Sequence, residues 1–283
     1  MLEINGLVKK YKDFTLDCSM KVGRGCITGL VGENGAGKST SFKAALGLIS
    51  YDSGDIKLMG KSPSELREAE KEKIGVTLAE SGFSGYLKVR DIVPVMAAMY
   101  PGFDRERFLN LCRRFSIPQD KYIKEFSTGM KAKLKVLVAV THNADFLLLD
   151  EPTTGLDVTA RESILDLFRG YMEEDESRSI LISSHISSDL EGLCDDIYII
   201  HEGKIVLYED MDNLLNEYGL IKADNGQYAR LDKEHILSIR RTPFGYECLT
   251  DQKGYYKENY PDIVVENGSL DEAITMMTGG ERL

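Results

Sequence analysis

The chain has 283 residues, 42% hydrophobic and 29% charged, with 35 Lys+Arg against 46 Asp+Glu and a formal net charge of -11. This composition excludes wholesale disorder and fibrous repeats, and the length gives one large domain or a domain with an appendage. The acidic balance excludes the broad basic footprint needed to wrap bare nucleic acid or to lie on anionic lipid. No apolar run approaches the ~20 residues of a spanning helix, and the N-terminus lacks a basic-then-apolar signal layout. The expectation is therefore a cytoplasmic chain. Cys18, Cys26, Cys112, Cys194 and Cys248 are scattered without metal-ligand spacing and read as free thiols.

In chain order, Leu2–Gly6 alternates as a short strand and Phe14–Val22 reads as a second extended stretch. Cys26–Gly32 is a nearly continuous apolar run, as in a strand buried on both faces. A glycine-rich loop follows, then a helical pattern from Lys38 to about Leu48. Ser53–Gly60 reads as turn, strand, turn, and Pro63–Lys73 as a charged surface helix. From Ile74 to Phe126 the pattern is that of a small helical insert, punctuated by Pro94, Pro101 and Pro118 and including the amphipathic piece Arg105–Phe115.

Ser127 then opens a helix running to about His142, and Asp145–Pro152 contains a second buried strand. Val158–Met172 is predicted helical with Asp157 as its N-cap. Ser179–His185 is a third buried strand, and Asp195–Asp210 is two strands joined at Glu202-Gly203. Strands alternating with helices predict an α/β fold with a mostly parallel core sheet. After about Asn216 the texture becomes rich in Tyr, Asp, Asn, Lys and Gly, with short apolar pieces and a final helical stretch at Leu270–Met277. The expected organisation is a main domain at 1–216, with the helical insert at about 80–142, and a small α+β accessory unit at 217–283. A loosely packed tail is the alternative for the latter.

Two segments carry chemistry. Gly32–Thr40, GENGAGKST, fits G-x-x-x-x-G-K-[ST] between a buried strand and a helix, the context that motif requires. Its glycines let backbone wrap close to phosphate, with the N–H groups of about Asn34, Gly35, Ala36, Gly37, Lys38 and Ser39 turned inward at a helix N-terminus. Lys38 is expected to pair with the β- and γ-phosphates, and Ser39, beside Thr40, to ligate Mg²⁺. The second segment is Phe146–Pro152, FLLLDEP. Two consecutive carboxylates ending an apolar strand are costly unless they lie at the sheet's C-terminal edge, where ligands bind. Asp150 is expected to hold Mg²⁺ and Glu151 to orient or deprotonate the attacking water.

GENGAGKST, FSTGMKAKL at Phe126–Leu134, LLLDEPTTGLD at Leu147–Asp157 and ISSH at Ile182–His185 occur in that order. Together they resemble the nucleotide-binding subunits of ATP-binding-cassette (ABC) transporters over about Met1–Asp212. The resemblance implies a P-loop cassette with an antiparallel β subdomain beside the core sheet. It implies ATP and Mg²⁺ as ligands and two ATP molecules sandwiched in a head-to-tail dimer with a second cassette, identical or paralogous. It implies a separate integral membrane permease, a place on the cytoplasmic face of the membrane, and no nucleic-acid partner. By position Tyr11 matches the aromatic that stacks on adenine. Ser127 and Gly129 match signature residues that touch the γ-phosphate held by the other subunit. Asp157 matches the acidic residue that communicates across the dimer, and His185 the switch histidine at the γ-phosphate.

Two departures stand out. The signature reads FSTGM rather than LSGGQ. Ala79 stands where the family places a Mg²⁺-ligating Gln, and Glu80 is the nearest oxygen donor, either a substitute ligand or a surface carboxylate. The short insert, with Phe83, Tyr86 and Leu87 expected in a groove for a coupling helix or else in the insert's core, is similar to exporters of peptides, toxins or drugs. The phenol-soluble-modulin exporters are one such group. The alternatives are a soluble ATPase acting on ribosomes or DNA, and a regulatory cassette with poor hydrolysis.

Overall fold

The computed structural model describes residues 1–282. Its elements are β1 (Leu2–Lys10), β2 (Thr15–Val22), β3 (Ile27–Val31), α1 (Lys38–Ala45), β4 (Ser53–Leu58), α2 (Glu68–Lys71), β5 (Ile74–Thr77), α3 (Val89–Met99), α4 (Arg105–Arg114) and α5 (Thr128–Val140). Then come β6 (Phe146–Asp150), α6 (Val158–Glu173), β7 (Ser179–Ser184), α7 (Ser187–Glu191), β8 (Asp196–His201), β9 (Lys204–Asp210) and α8 (Met211–Glu217). The C-terminal part adds β10 (Gly219–Ala223), α9 (Asn225–Arg230), β11 (Ile236–Thr242), β12 (Gly245–Thr250), α10 (Lys253–Asn259), β13 (Val264–Asn267), α11 (Leu270–Gly279) and β14 (Glu281–Arg282).

A nine-stranded sheet, in the order β4-β1-β2-β9-β8-β3-β7-β6-β5, organises the main part. β8, β3, β7, β6 and β5 run parallel, whereas β1 pairs antiparallel with β2 and β4, and β8 with β9. The period of two along a strand explains the two cores. Phe146 and Leu148 of β6 enter one apolar cluster with Leu30, Phe42 and Leu181. Leu147 and Leu149 enter the other with Val31, Ile180, Ile182, Phe168 and the insert's Phe108. A strand buried on both faces has no polar position to spare, so the apolar runs at Ile27–Val31 and Phe146–Leu149 are the signature of a central place in the sheet.

The parallel register fixes where these strands end. Val31 pairs with Ser184, and Asp150 with Ser183. The segments after β3, β6 and β7 therefore leave the sheet side by side. The β8–β9 hairpin turns at Glu202 (φ 46) and Gly203 (φ 81), a left-handed pair suited to a tight two-residue turn. A Cβ at Gly203 would lie 2.0 Å from the Thr15 carbonyl oxygen, so only glycine fits. Its N–H donates to the Ala36 carbonyl oxygen at 3.0 Å, tying the hairpin to the loop before α1.

Three local expectations change. Ile74–Thr77 lies not in a helical insert but in the sheet, as edge strand β5 paired with β6. Pro63–Lys73 is a 3₁₀ turn at Pro63–Glu65 and the short α2, not one helix. α3 continues through Pro94, which forgoes one backbone bond without ending the helix.

The C-terminal strands form a second, antiparallel sheet, β13-β10-β12-β11-β14. Ile221, Ile236, Cys248 and Tyr256 make a small core on it. Leu220 and Leu249, with Leu270, Ala273, Met276 and Met277 of α11, join the larger core of the main part beside Leu190 and Leu193. All five cysteines are free. Among the described residues no helix is long and apolar enough to cross a membrane.

Asp196, at the start of β8, gives a test of the packing. Its Oδ1 is buried without a hydrogen-bond partner, and Oδ2 accepts from the Tyr208 hydroxyl at 3.3 Å. Burial pushes its carboxyl above the usual carboxylate range, partly offset by hydrogen bonds from Thr28 and Tyr208. The folded value is thus raised above the unfolded one, so the ionised group opposes folding at neutral pH and not in acid. Asp196→Asn is expected to raise the thermal midpoint at about pH 7, with the gain shrinking as pH falls and gone by about pH 3, below the unfolded carboxyl's value. Melting curves of both proteins at the two pH values check this.

Candidate functional site

The site begins with α1. β3 delivers the chain to Gly32 and α1 starts at Lys38, capped by Gly37 in a left-handed conformation (φ 114). A Cβ at Gly37 would lie 2.8 Å from Leu16 Cδ1, so this turn also needs glycine. The loop ends at a helix N-terminus, an arrangement suited to anions, although the Ala36 N–H is turned into the loop itself, donating to the Glu33 carbonyl oxygen at 3.2 Å. Lys38 folds back over it and is only 6% exposed. Its Nζ donates to the Gly32 carbonyl oxygen at 2.6 Å and to that of Glu33 at 3.2 Å.

β6 delivers the carboxylates. Asp150 is buried and its Oδ1 accepts from Ser183 Oγ at 2.7 Å. Glu151 has a left-handed backbone (φ 50), held by its N–H donating to the Ser183 carbonyl oxygen at 3.2 Å and to Ser183 Oγ at 3.1 Å. A non-glycine residue there is strained, and the strain aims the side chain at Lys38. Glu151 Oε1 lies 3.3 Å from Lys38 Nζ, and this buried atom has no hydrogen bond. Glu151 Oε2 accepts from Thr154 Oγ1 at 3.1 Å and lies 2.6 Å from His185 Nδ1. A carboxylate oxygen can only accept, so the shared proton belongs to the imidazole. Lys38, Glu151 and His185 are thus brought into one chain of contacts.

The donor set fits a phosphate-bound magnesium ion. Asp150 and the hydroxyl of Ser39 offer two hard oxygens, and Mg²⁺ is commonly held by one or two protein ligands with water and phosphate completing its octahedron. Among the described residues no group of three or more His, Cys, Asp or Glu forms a self-sufficient metal cage. Glu151 Oε1 is an acceptor without a donor, and Lys38 is a cation that phosphate can take over. Both observations match a nucleotide site.

The other predicted residues fall in different places. Tyr11 lies on the β1–β2 loop, 48% exposed, with Lys9 Nζ 5.5 Å from its ring centre and Phe14 6.3 Å away. Ser127 caps α5 by accepting from the Met130 N–H at 3.2 Å. Gly129 lies against the backbone of Gly155, whose carbonyl oxygen would be 2.8 Å from any Cβ placed there. Asp157 caps α6, accepting from the Ala160 N–H at 2.8 Å. Asn34, Gly35, Ala36, Gly37 and Thr40 lie on the glycine loop and the start of α1.

Glu80 is not brought to the carboxylates. Its side chain is 80% exposed and pairs with Lys43 of α1 at 2.9 Å, because that solvated ammonium is the nearer partner. The expectation that Glu80 substitutes for the missing Gln finds no geometric support. Lys135 of α5 occupies that region instead, donating to the carbonyl oxygens of Leu78 at 2.9 Å and Ala79 at 2.8 Å. Burial pushes its pKa down, and the nearby Asp150 opposes that. Sequence reading missed Lys135; its spacing from Lys131, one helical turn along α5, was the available signal. A cavity of about 610 Å³ lies beside these groups, lined by Ala79, Phe83, Lys124, Lys135, Asp150 and Glu151 among others. Phe83 and Leu87 pack against the main core, whereas Tyr86 is 75% exposed.

A glycine loop on a parallel sheet, with a strand-end carboxylate pair and a histidine just after the neighbouring strand, defines a nucleotide-binding cassette. The family model described as ABC transporter matches residues 16–154. The chain is 34% identical over 220 residues to the lantibiotic transport ATP-binding protein SrtF of Streptococcus pyogenes, covering 76% of this chain and 93% of that protein. It is 29% identical over 276 residues to the ABC transporter ATP-binding protein YtrB of Bacillus subtilis, covering 94% and 93%. A solved structure of the ATP binding subunit of an ABC transporter superposes with a TM-score of 0.68 at 26% identity, covering 76% of this chain and 91% of that one. The chain belongs to the ABC transporter family, as an ATP-binding subunit.

Lys38→Met removes the only ammonium bonded to the glycine loop's carbonyls among the described residues. Calorimetric titration is expected to show ATP affinity reduced about 100-fold, as for loss of a charge-assisted phosphate contact in a desolvated site.

Proposed function

We propose that this chain hydrolyses ATP to drive a separate membrane permease that exports antimicrobial peptides or related compounds. The observation that carries the hydrolytic part is the contact chain Lys38–Glu151–His185, with Glu151 Oε1 left without a donor. Arriving phosphate competes for Lys38 and frees Glu151 from its ion pair. Glu151 then accepts a proton from the attacking water, and His185 holds the carboxylate on one side and faces the γ-phosphate on the other. Lys38 and the loop N–H groups stabilise charge as it moves from the γ- to the β-oxygens. Asp150 and Ser39 would hold Mg²⁺, which would supply charge neutralisation for the phosphates. Tyr11 stacks on the adenine.

Ser127 and Gly129 act on nucleotide held by a second cassette, identical or paralogous, so that two ATP molecules are sandwiched head to tail. The anchoring of Ser127 within its own α5 supports this, since neither residue bonds to the chain's own glycine loop among the described residues. The permease is met at the cavity shared by Phe83, Lys124 and the carboxylate segment, with Tyr86 exposed beside it. That proximity would link partner movement to the chemistry; a location on the cytoplasmic face of the membrane is supported by relatives named as transport ATP-binding proteins. Residues 217–283 are an accessory unit. The relative SrtF, named for lantibiotic transport, supports a peptide cargo. A ribosome- or DNA-directed role has no support in a chain of net charge -11.

Glu151→Gln keeps size and shape and removes the base. Its steady-state ATPase rate is expected to fall at least about 100-fold while ATP affinity is retained. A rate equal to the native one would end the hydrolytic reading.

A further inference from the structure

We infer that the C-terminal unit positions His185, and that Asp271 is the residue through which it does so. The inference rests on the reading of His185 as a participant in hydrolysis. His185 leaves the end of β7, and α7 starts two residues later at Ser187. With five residues α7 is too short to be stable by itself, so tertiary bonds must fix its place.

Those bonds come from two sides. On the cassette side, buried Asp189 accepts from Thr153 Oγ1 at 2.7 Å, and Arg161 Nε lies 3.6 Å from its other oxygen. Thr153 stands two residues after Glu151, so this side ties α7 to the catalytic carboxylate's own segment. On the other side, Ser187 Oγ donates to Asp271 Oδ1 at 2.6 Å, and Glu191 Oε1 accepts from the Leu270 N–H at 2.7 Å. Both partners are in the first turn of α11. That helix is anchored in turn by Leu270, Ala273 and Met276, all essentially buried in the same core as Leu190 of α7.

α7 is therefore clamped at both ends by one helix of the C-terminal unit and at its centre by the segment after Glu151. A shift of α11 carries Ser187 with it, and Ser187 is two residues from the imidazole. The unit's own small core, around Ile221 and Tyr256, is a cluster separate from the one that holds α7 and α11.

The test uses the full chain. Ser187→Ala and Asp271→Ala are each expected to lower kcat for ATP hydrolysis about fivefold, through misplacement of a catalytic group, with KM for ATP within about twofold of native. ADP affinity stays at the native value, and the thermal midpoint falls by no more than a few degrees, as for one lost hydrogen bond. The double variant is expected to be no slower than either single one, because one bond is removed in all three. Asp271→Asn keeps an acceptor oxygen and is expected to recover most of the rate.

Native kcat in both alanine variants, or losses that add in the double variant, would overturn the inference. A fall in kcat matched by an equal fall in ADP affinity would also overturn it, since that is general loosening of the fold. His185→Ala serves as the reference. If it is slow while both alanine variants are native, only the brace is refuted. If His185→Ala itself is native, the functional reading beneath it fails.

Discussion

A lysine ammonium removed from water must be repaid by oxygen atoms, and in this protein Lys38 is repaid by two carbonyls of its own loop and by Glu151. Burying a charge without partners is prohibitively costly, so these contacts dictate how close the loop, the carboxylate and the strands beneath them must come. The parallel register provides that closeness. β3, β6 and β7 end within one residue of a common level, and the residues that follow each strand meet there. Ser183 donates its hydroxyl to the Asp150 carboxylate and accepts the Glu151 backbone N–H at its carbonyl and hydroxyl oxygens, and so couples the end of β7 to both residues.

The same arrangement gives the site its response to ligand. Lys38 and Glu151 neutralise one another at 3.3 Å, a contact weaker than a close bidentate pair. In the proposed mechanism, phosphate offers Lys38 more charge than Glu151 does, and the carboxylate is released to water when the substrate is in place. The strained backbone at Glu151, the His185 contact and the clamped α7 keep that carboxylate from swinging into solvent.

Much of this was legible in the sequence because it is local. The apolar runs at Ile27–Val31 and Phe146–Leu149, the spacing of Gly32, Gly37 and Lys38, and the caps Ser127 of α5 and Asp157 of α6 are written in neighbouring residues. What was not legible depends on distant partners. Ile74–Thr77 is too short to show a period and becomes a strand only because β6 offers an edge. Glu80 was a reasonable oxygen donor by position, yet its direction is set by Lys43, 37 positions earlier in the chain. Lys135 reaches back 57 positions to Leu78, and Ser187 forward 84 positions to Asp271. No window of sequence contains either pair. The strands β10 and β12 were hidden for another reason: alternating short apolar and polar residues in a Tyr- and Lys-rich context read equally well as loop.

The most direct measurement is a crystal structure of the chain with Mg²⁺ and a non-hydrolysable ATP analogue. The account expects Lys38 Nζ to have left the Gly32 carbonyl for phosphate oxygens, Glu151 to be unpaired from Lys38 and turned toward the γ-phosphate, and His185 to remain beside it. An analogue bound at the glycine loop with Lys38 still bonded to Gly32 and paired with Glu151 would contradict the exchange on which the mechanism depends.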